Sequence, residues 1–332
     1  MSHFTVMVIG DDAEKQLAPY HEYECTGNDD EYVIDVDCTD EVREWLDKPI
    51  WVGISKESGE SDYWPNEKSG IEHLKDPEPM SRQLWFESIN KDIEEEIDDW
   101  FGYKKDEDGK YFRHTNPNAK WDWYQVGGRW SGFFKVKNPE EGEMGDRSWM
   151  DHGKKIPHDR ADITTKGNVD IVGMQASARI NATEQFDNLE AAIGQTEPVS
   201  WTATLKKFEN DGKTAVQEAR DYYHATPFQL AIKKYEKEHN VHIGSFRSNV
   251  YDDYYLHLPL NVARVRFVET AAMNVITPYA IVKDGQWYER GEMGWWGMAS
   301  NEKEKDVWTE EFYKMFSELP DDTVLTMVDC HI

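Results

Sequence analysis

Cysteine is scarce in this chain: Cys25, Cys38 and Cys330 are the only three in 332 residues. An odd, widely spaced set argues against a disulfide framework and for free thiols in a reducing cytoplasm. No apolar run approaches the roughly 18 residues of a membrane span. The opening Met1-Ser2-His3-Phe4 puts no basic segment ahead of an apolar one, so neither membrane insertion nor a secretory leader is expected. The familiar catalytic spacings are missing as well. Without a P-loop, G-x-G-x-x-G, G-x-S-x-G or H-E-x-x-H, the common nucleotide-binding, serine-hydrolase and zinc-protease readings lose their support. Positive charge is also short: 37 basic residues face 65 acidic ones, a net of −28. The first hundred residues hold 28 acidic and 8 basic residues, and the last 32 add −6. Such a segment repels a nucleic-acid backbone and attracts a basic protein surface. The plainer meaning of the same charge is a well-solvated surface.

Aromatic residues are what the chain has in quantity, with 14 tryptophans and 13% aromatics overall. Its core is therefore expected to rest on few, large side chains, each burying about 150–250 Å². The densest stretch runs from Asn116 to Phe134, N-P-N-A-K-W-D-W-Y-Q-V-G-G-R-W-S-G-F-F. Alternation puts Trp121, Trp123 and Gln125 on one face of a strand and Asp122, Tyr124 and Val126 on the other. Gly127-Gly128 offers the positive φ of a tight turn, so Arg129 to Val136 is expected to return as a hairpin partner. A shorter copy, Trp287-Tyr288, Gly291 and Trp295-Trp296-Gly297, repeats the W-Y-x-x-G and W-x-G pattern. Both copies are expected to be structural and to share a sheet or core.

Along the chain, Phe4 to Ile9 and residues 31–36 read as strands, and residues 39–48 as a helix stopped by Pro49. Residues 57–79 read as a surface loop. Residues 81–101 read as one amphipathic helix, with Trp85, Ile89, Ile93, Ile97 and Trp100 or Phe101 inward. Its outer face carries six carboxylates in eight residues, from Asp92 to Asp99. These repel at i,i+3 and i,i+4, a cost that marks the face as a candidate for binding. Asp106 to Lys110 starts like a calcium loop but lacks the closing glutamate, and reads as a turn. Residues 138–165 read as a polar excursion, 170–180 as a strand, 184–193 as a short helix, and 201–240 as helical with a break at Thr226-Pro227. Residues 260–276 admit a helix or a strand, the helix being favoured, and a hairpin at 278–290, a helix at 302–319 and a strand at 323–330 complete the chain. The expected fold is α+β, with antiparallel or mixed sheets and packed amphipathic helices, and two related halves remain open. The expected organisation is linear: an acidic α+β half at 1–138, a polar excursion and connecting segment at 139–200, and a helical segment with a second α+β half at 201–332.

Two sets of residues are candidates for function. Asp92, Glu95, Glu96 and Asp99 are candidates for binding a partner protein with a basic surface. Trp123, Tyr124, Arg129, Trp130, Trp287, Tyr288, Arg290 and Trp295 are candidates for lining a pocket for a nucleotide or small signalling molecule. Gly127-Gly128-Arg129 resembles a phosphate cradle in composition but lacks the helix that would follow one. His21, Glu22, Glu24, Cys25, Cys38, Cys330 and His331 include zinc-type donors, yet no C-x-x-C pair occurs, so no metal and no cofactor is assigned. Tyr251, Asp252, Asp253, Tyr254, Tyr255 and His257 form another dense mixture, read as a tyrosine-anchored loop.

Four segments together carry a resemblance: S-H-F-T-V-M-V-I-G-D-D-A-E-K-Q-L-A-P-Y-H-E-Y-E-C-T-G at the start, N-P-N-A-K-W-D-W-Y-Q-V-G-G-R-W, K-D-G-Q-W-Y-E-R-G-E-M-G-W-W-G-M, and D-D-T-V-L-T-M-V-D-C-H-I at the end. The chain resembles a family of proteins carried by bacteriophages and occasionally by bacterial genomes. The resemblance covers both ends and the central aromatic stretch. It implies a phage accessory product acting in the bacterial cytoplasm, and brings no activity and no catalytic residue with it. The functional expectation is a non-enzymatic protein that binds and inhibits a host protein in counter-defence or host takeover, with its acidic segment mimicking nucleic acid.

Overall fold

The computed structural model describes residues 2–65, 71–148, 155–194, 196–197, 199–210, 213–241, 243, 258–294 and 297–332. Its mixture of helices with antiparallel and mixed sheets is an α+β fold, as expected. Contacts divide it into two compact units, Met1–Gln16 with Tyr124–Cys330, and Leu17–Trp123 with His331–Ile332. This division differs from the linear scheme 1–138, 139–200 and 201–332, because both chain ends enter one sheet. No helix among the described residues is long and apolar enough to cross a membrane.

The larger unit is built on a seven-stranded sheet. Its order is Asp146–Arg147, Trp123–Gly128, Val324–His331, His3–Ile9, Ala280–Lys283 and Gln286–Glu289, with Ile163–Thr165 also pairing with Val324–His331. The first and last strands are neighbours. His3 meets Asp329 at one end and the Gly10 amide donates to the Val324 carbonyl at the other, so they run antiparallel. Val6, Met7 and Val8 are fully buried, as are Leu325, Met327 and Val328. Burial on both faces explains why these strands read as apolar runs rather than alternating ones. The helix Lys305–Glu318 turns Trp308, Phe312 and Phe316 into this core, while Val307 faces out. A second cluster in the same unit joins Phe186, Leu189, Phe228, Ile232 and Ala263 from the helices Ile171–Ile193, Pro227–His239 and Leu260–Met273.

Several expectations change here. The strand at 170–180 and the short helix after it are one 23-residue helix, with the Asp170 carboxylate capping the Gly173 amide. Contact with Leu260–Met273 outweighs the β-branched start Ile171-Val172, and Arg179–Glu269 and Arg264–Glu190 ion pairs join the two helices. Described parts of the polar excursion at 138–165 pair with strands, Ile163–Thr165 with the last strand and Arg160–Ala161 with Phe134–Lys135. The hairpin at Gly127-Gly128 does not form. Trp123–Gly128 lies beside the last strand instead, and Phe134–Lys135 pairs elsewhere.

Two buried aspartates explain those glycines. A Cβ on Gly127 would sit 2.5 Å from the Asp162 carboxylate, and one on Gly128 2.5 Å from Asp329. Asp162 accepts from the amides of Gly132, Phe133 and Gly145 and from the Ser131 hydroxyl. Asp329 accepts from the Arg129 amide at 2.9 Å and meets His3 Nδ1 at 2.8 Å. The second aromatic segment does form its expected hairpin, with Asp284 and Gly285 both at positive φ.

The smaller unit has two three-stranded sheets, Ile34–Asp37, Tyr111–Thr115 and Lys104–Lys105 in one, and Ser61–Trp64, Pro49–Ser55 and Leu74–Ser81 in the other. The expected loop at 57–79 thus contributes two strands, anchored where Tyr63 packs on Trp85 with ring centroids 4.5 Å apart. The expected helix at 81–101 is two helices, Arg82–Ser88 and Ile93–Phe101. Asn90 takes φ 54 between them. Ser81 caps the first and Asp92 the second, while Gly102 closes the second in the left-handed region.

Candidate functional site

The smaller unit concentrates the negative charge. Residues 17–123 hold 29 acidic and 12 basic residues, −17 of the chain's −28. Its helices Thr39–Asp47 and Ile93–Phe101 pack Val42 and Ile97 into one core with Tyr103 and Tyr111. That packing leaves Asp40, Glu44, Asp47, Glu95 and Asp99 exposed.

The break at Asn90 alters the meaning of the six carboxylates. Because the helix starts at Ile93, Asp92 accepts from the Glu94 and Glu95 amides as its cap. Glu94, Glu95 and Glu96 fall in the first turn, where the helix dipole favours negative charge. Glu96 is buried and meets Lys91 at 2.6 Å, Glu94 meets Lys105 at 2.6 Å, and Asp98 pairs with Lys104. Of the four candidates, then, Asp92 and Glu96 have structural roles. Glu95 and Asp99 stay exposed at i,i+4, and Trp100 on the same helix is 62% exposed. Sequence periodicity placed Trp100 or Phe101 inward; Phe101 takes that position, stacking on Tyr103 and meeting Trp45 edge-on.

A cleft of about 600 Å³ in the same unit is lined by Tyr23, Phe101, Phe112, Lys104, Lys105, Arg113 and His114. Each cation is already engaged by a carboxylate: Lys104 by Asp98, Lys105 by Glu94, Arg113 by Glu24 and His114 by Asp35 and Asp29. The Asp35 and then the Asp29 hydrogen bond raise the His114 pKa above the usual 6.5. A raised histidine contributes stability below its unfolded value and loses it as pH rises through the folded one. An NMR titration of His114 is therefore expected to show a midpoint above 6.5 that falls in Asp35→Asn. An unchanged midpoint in that variant would show the contact to be unimportant.

Within the larger unit, the described pocket candidates are spread along and across its sheet. In the larger unit, the strand carrying Tyr124 and the strand carrying Trp287 and Tyr288 share a sheet, as expected, but three other strands lie between them. Four strand spacings make that roughly 19 Å. Arg129 is exposed, and its backbone amide is what the Asp329 carboxylate holds. Trp130 is half-buried; Trp287 is half-buried, donates to Glu289 and packs edge-on to Phe4. Arg290 meets Glu302 at 3.5 Å. Tyr288 borders a separate cleft with Lys283, Glu311 and Lys314. In the smaller unit, Trp123 is 43% exposed and stacks on His331 with centroids 5.2 Å apart. Trp295 and the mixed segment Tyr251 to His257 lie outside the described residues.

The cysteines separate. Cys38 is buried in the core of the smaller unit and Cys330 in the last strand, whereas Cys25 is exposed. Partial burial of its sulfur, helped by Glu22, Asp122 and Glu24, pushes the Cys25 thiol up to about 11. It is therefore protonated at neutral pH and a poor nucleophile. Asp122, which sequence reasoning left out of every site, stands beside Cys25 and Glu22, and the buried His331 ring contacts it. Only the 100-residue separation hid that grouping. Protein-family models, curated proteins and solved structures return no match to this chain.

Proposed function

We propose that this chain is a binding protein whose acidic unit engages a host protein through a basic surface, in the manner of a charge mimic of nucleic acid. The observation that supports it best is the −17 carried by residues 17–123 together with the exposure of Glu95, Asp99 and Trp100 on one helix. Carboxylates bring a basic partner in quickly, and an exposed tryptophan supplies the apolar anchor that charge alone lacks. The phage resemblance makes a host defence or nucleic-acid-handling protein the expected target. Among the described pocket candidates of the larger unit, three strands separate Tyr124 from Trp287 and Tyr288, which favours the binding-protein reading.

The test is affinity capture from host lysate with wild type and with a Glu95→Gln, Asp99→Asn, Trp100→Ala variant as paired baits. Asp92 and Glu96 are left intact, because their loss would weaken the helix itself. A basic host protein should be retained by wild type and lost from the variant, whose melting temperature stays within a few degrees. Retention should also fall steeply with salt, since surface fields are screened beyond about 8–10 Å at physiological ionic strength. Equal retention by both baits across the salt series would remove this face from the function.

A further inference from the structure

We propose that Glu22, Cys25 and Asp122 form a binding site for a thiophilic divalent cation of the zinc class. One donor atom from each residue lies within 4.8 Å of the other two. In tetrahedral zinc sites, bonds of about 2.3 Å to sulfur and about 2.0–2.2 Å to oxygen set donors roughly 3.5 Å apart. Side-chain rotations of about an ångström would close this set around an ion. Cys25 is exposed and both carboxylates are half-buried, so an ion can enter from solvent and keep water in its remaining position.

Abundant acid does not account for the grouping. The chain has 65 acidic residues, yet this is the one triplet of His, Cys, Asp or Glu donors so close together among the described residues. It also includes sulfur. Calcium and magnesium call for six or more oxygens, which two carboxylates do not supply; a thiolate with two carboxylates suits zinc.

The donors are held by backbone from three parts of the sequence. Glu22 is the N-cap of the short helix Tyr23–Thr26 and Cys25 lies within it, so one turn carries both. The Glu22 amide donates to the Trp121 carbonyl at 2.7 Å, which fixes the residue before Asp122, and the Asp122 amide donates to the His331 carbonyl at 3.0 Å. Behind the site, the His331 side chain is 5% exposed, and its Nδ1 lies 2.6 and 2.7 Å from the two Asp122 oxygens. A buried imidazole gripping a carboxylate from the far side is the outer-layer support that fixes metal ligands. His331 is thus a positioning residue. On binding, the Cys25 S–H bond is exchanged for a sulfur–metal bond and the proton leaves to solvent.

The test is titration of chelator-treated, full-length protein with Co²⁺ followed by Zn²⁺. One equivalent of cobalt should give a thiolate-to-metal charge-transfer band and d–d bands of tetrahedral intensity, both displaced by zinc. Cys25→Ser should abolish the charge-transfer band and keep the melting temperature measured in chelator. Glu22→Gln and Asp122→Asn should each weaken zinc binding by about tenfold or more. Cys38→Ala, a buried thiol elsewhere in the unit, should keep the band. Absence of the band in wild type, its survival in Cys25→Ser, or equal zinc affinity of wild type and Cys25→Ser would overturn the proposal.

Discussion

Asp162→Ala is expected to destabilise the larger unit by about 3–5 kcal/mol and to lower its melting temperature by roughly 10 °C. Asp162 is fully buried. One carboxylate oxygen accepts from the Gly132 and Phe133 amides, at 2.6 and 3.2 Å. The other accepts from the Ser131 hydroxyl and the Gly145 amide, at 3.1 and 3.0 Å. Removing the carboxylate strands three half-buried amides, and an unmade buried hydrogen bond costs about 1–3 kcal/mol. Asp162→Asn keeps the volume but turns an NH₂ toward one pair of donors, so it should cost about half as much. Gly127→Ala should be damaging for the complementary reason: its φ is 79 and the new methyl would meet this same carboxylate. Urea melts read the effect as a lower midpoint at constant slope. A wild-type midpoint in Asp162→Ala would mean that the loop from Gly127 to Gly145 is held by something else.

Deleting Thr323 to Ile332 is expected to leave an insoluble or molten chain. Sequence pattern alone makes Thr323 to Cys330 an interior strand, and the fold places Val324–His331 between His3–Ile9 and Trp123–Gly128 with Ile163–Thr165 paired as well. Every residue from Leu325 to His331 is buried. The truncation therefore breaks ladders on both sides and removes Leu325, Met327 and Val328 from the core together. It also removes Asp329, which holds the Arg129 amide. Loss of near-UV circular dichroism with retained far-UV signal and dye binding would be the expected signature. A soluble truncation melting at the wild-type temperature would make the strand peripheral, as chain ends often are.

Elements with strong local signals were legible in advance. Phe4 to Ile9, Thr323 to Cys330 and the helix expected at 302–319 have runs or periodicities that admit one reading. Asp284-Gly285 announced its hairpin, and Ser81 and Gly102 marked a helix start and a helix end. Asn90, with no breaker beside it, did not announce the split between them. That split matters to function, because it moves Asp92 and Glu96 from the free face into structural roles and leaves Glu95, Asp99 and Trp100 outside.

By itself the sequence determined the α+β class, the concentration of negative charge in the first third, and the burial of the first and last strands, because composition and hydrophobic period act locally. Tertiary structure alone decided the rest. Gly127-Gly128 looks like a turn from its neighbours, but buried carboxylates at Asp162 and Asp329, 35 and 201 residues further along, make it a close approach instead. Asp122 looks like one acid among many until the fold sets it beside Cys25 and Glu22 with His331 behind it. Residues far apart in a chain meet only when the sheet is assembled, and no local propensity encodes which carboxylate will find which amide, thiol or imidazole.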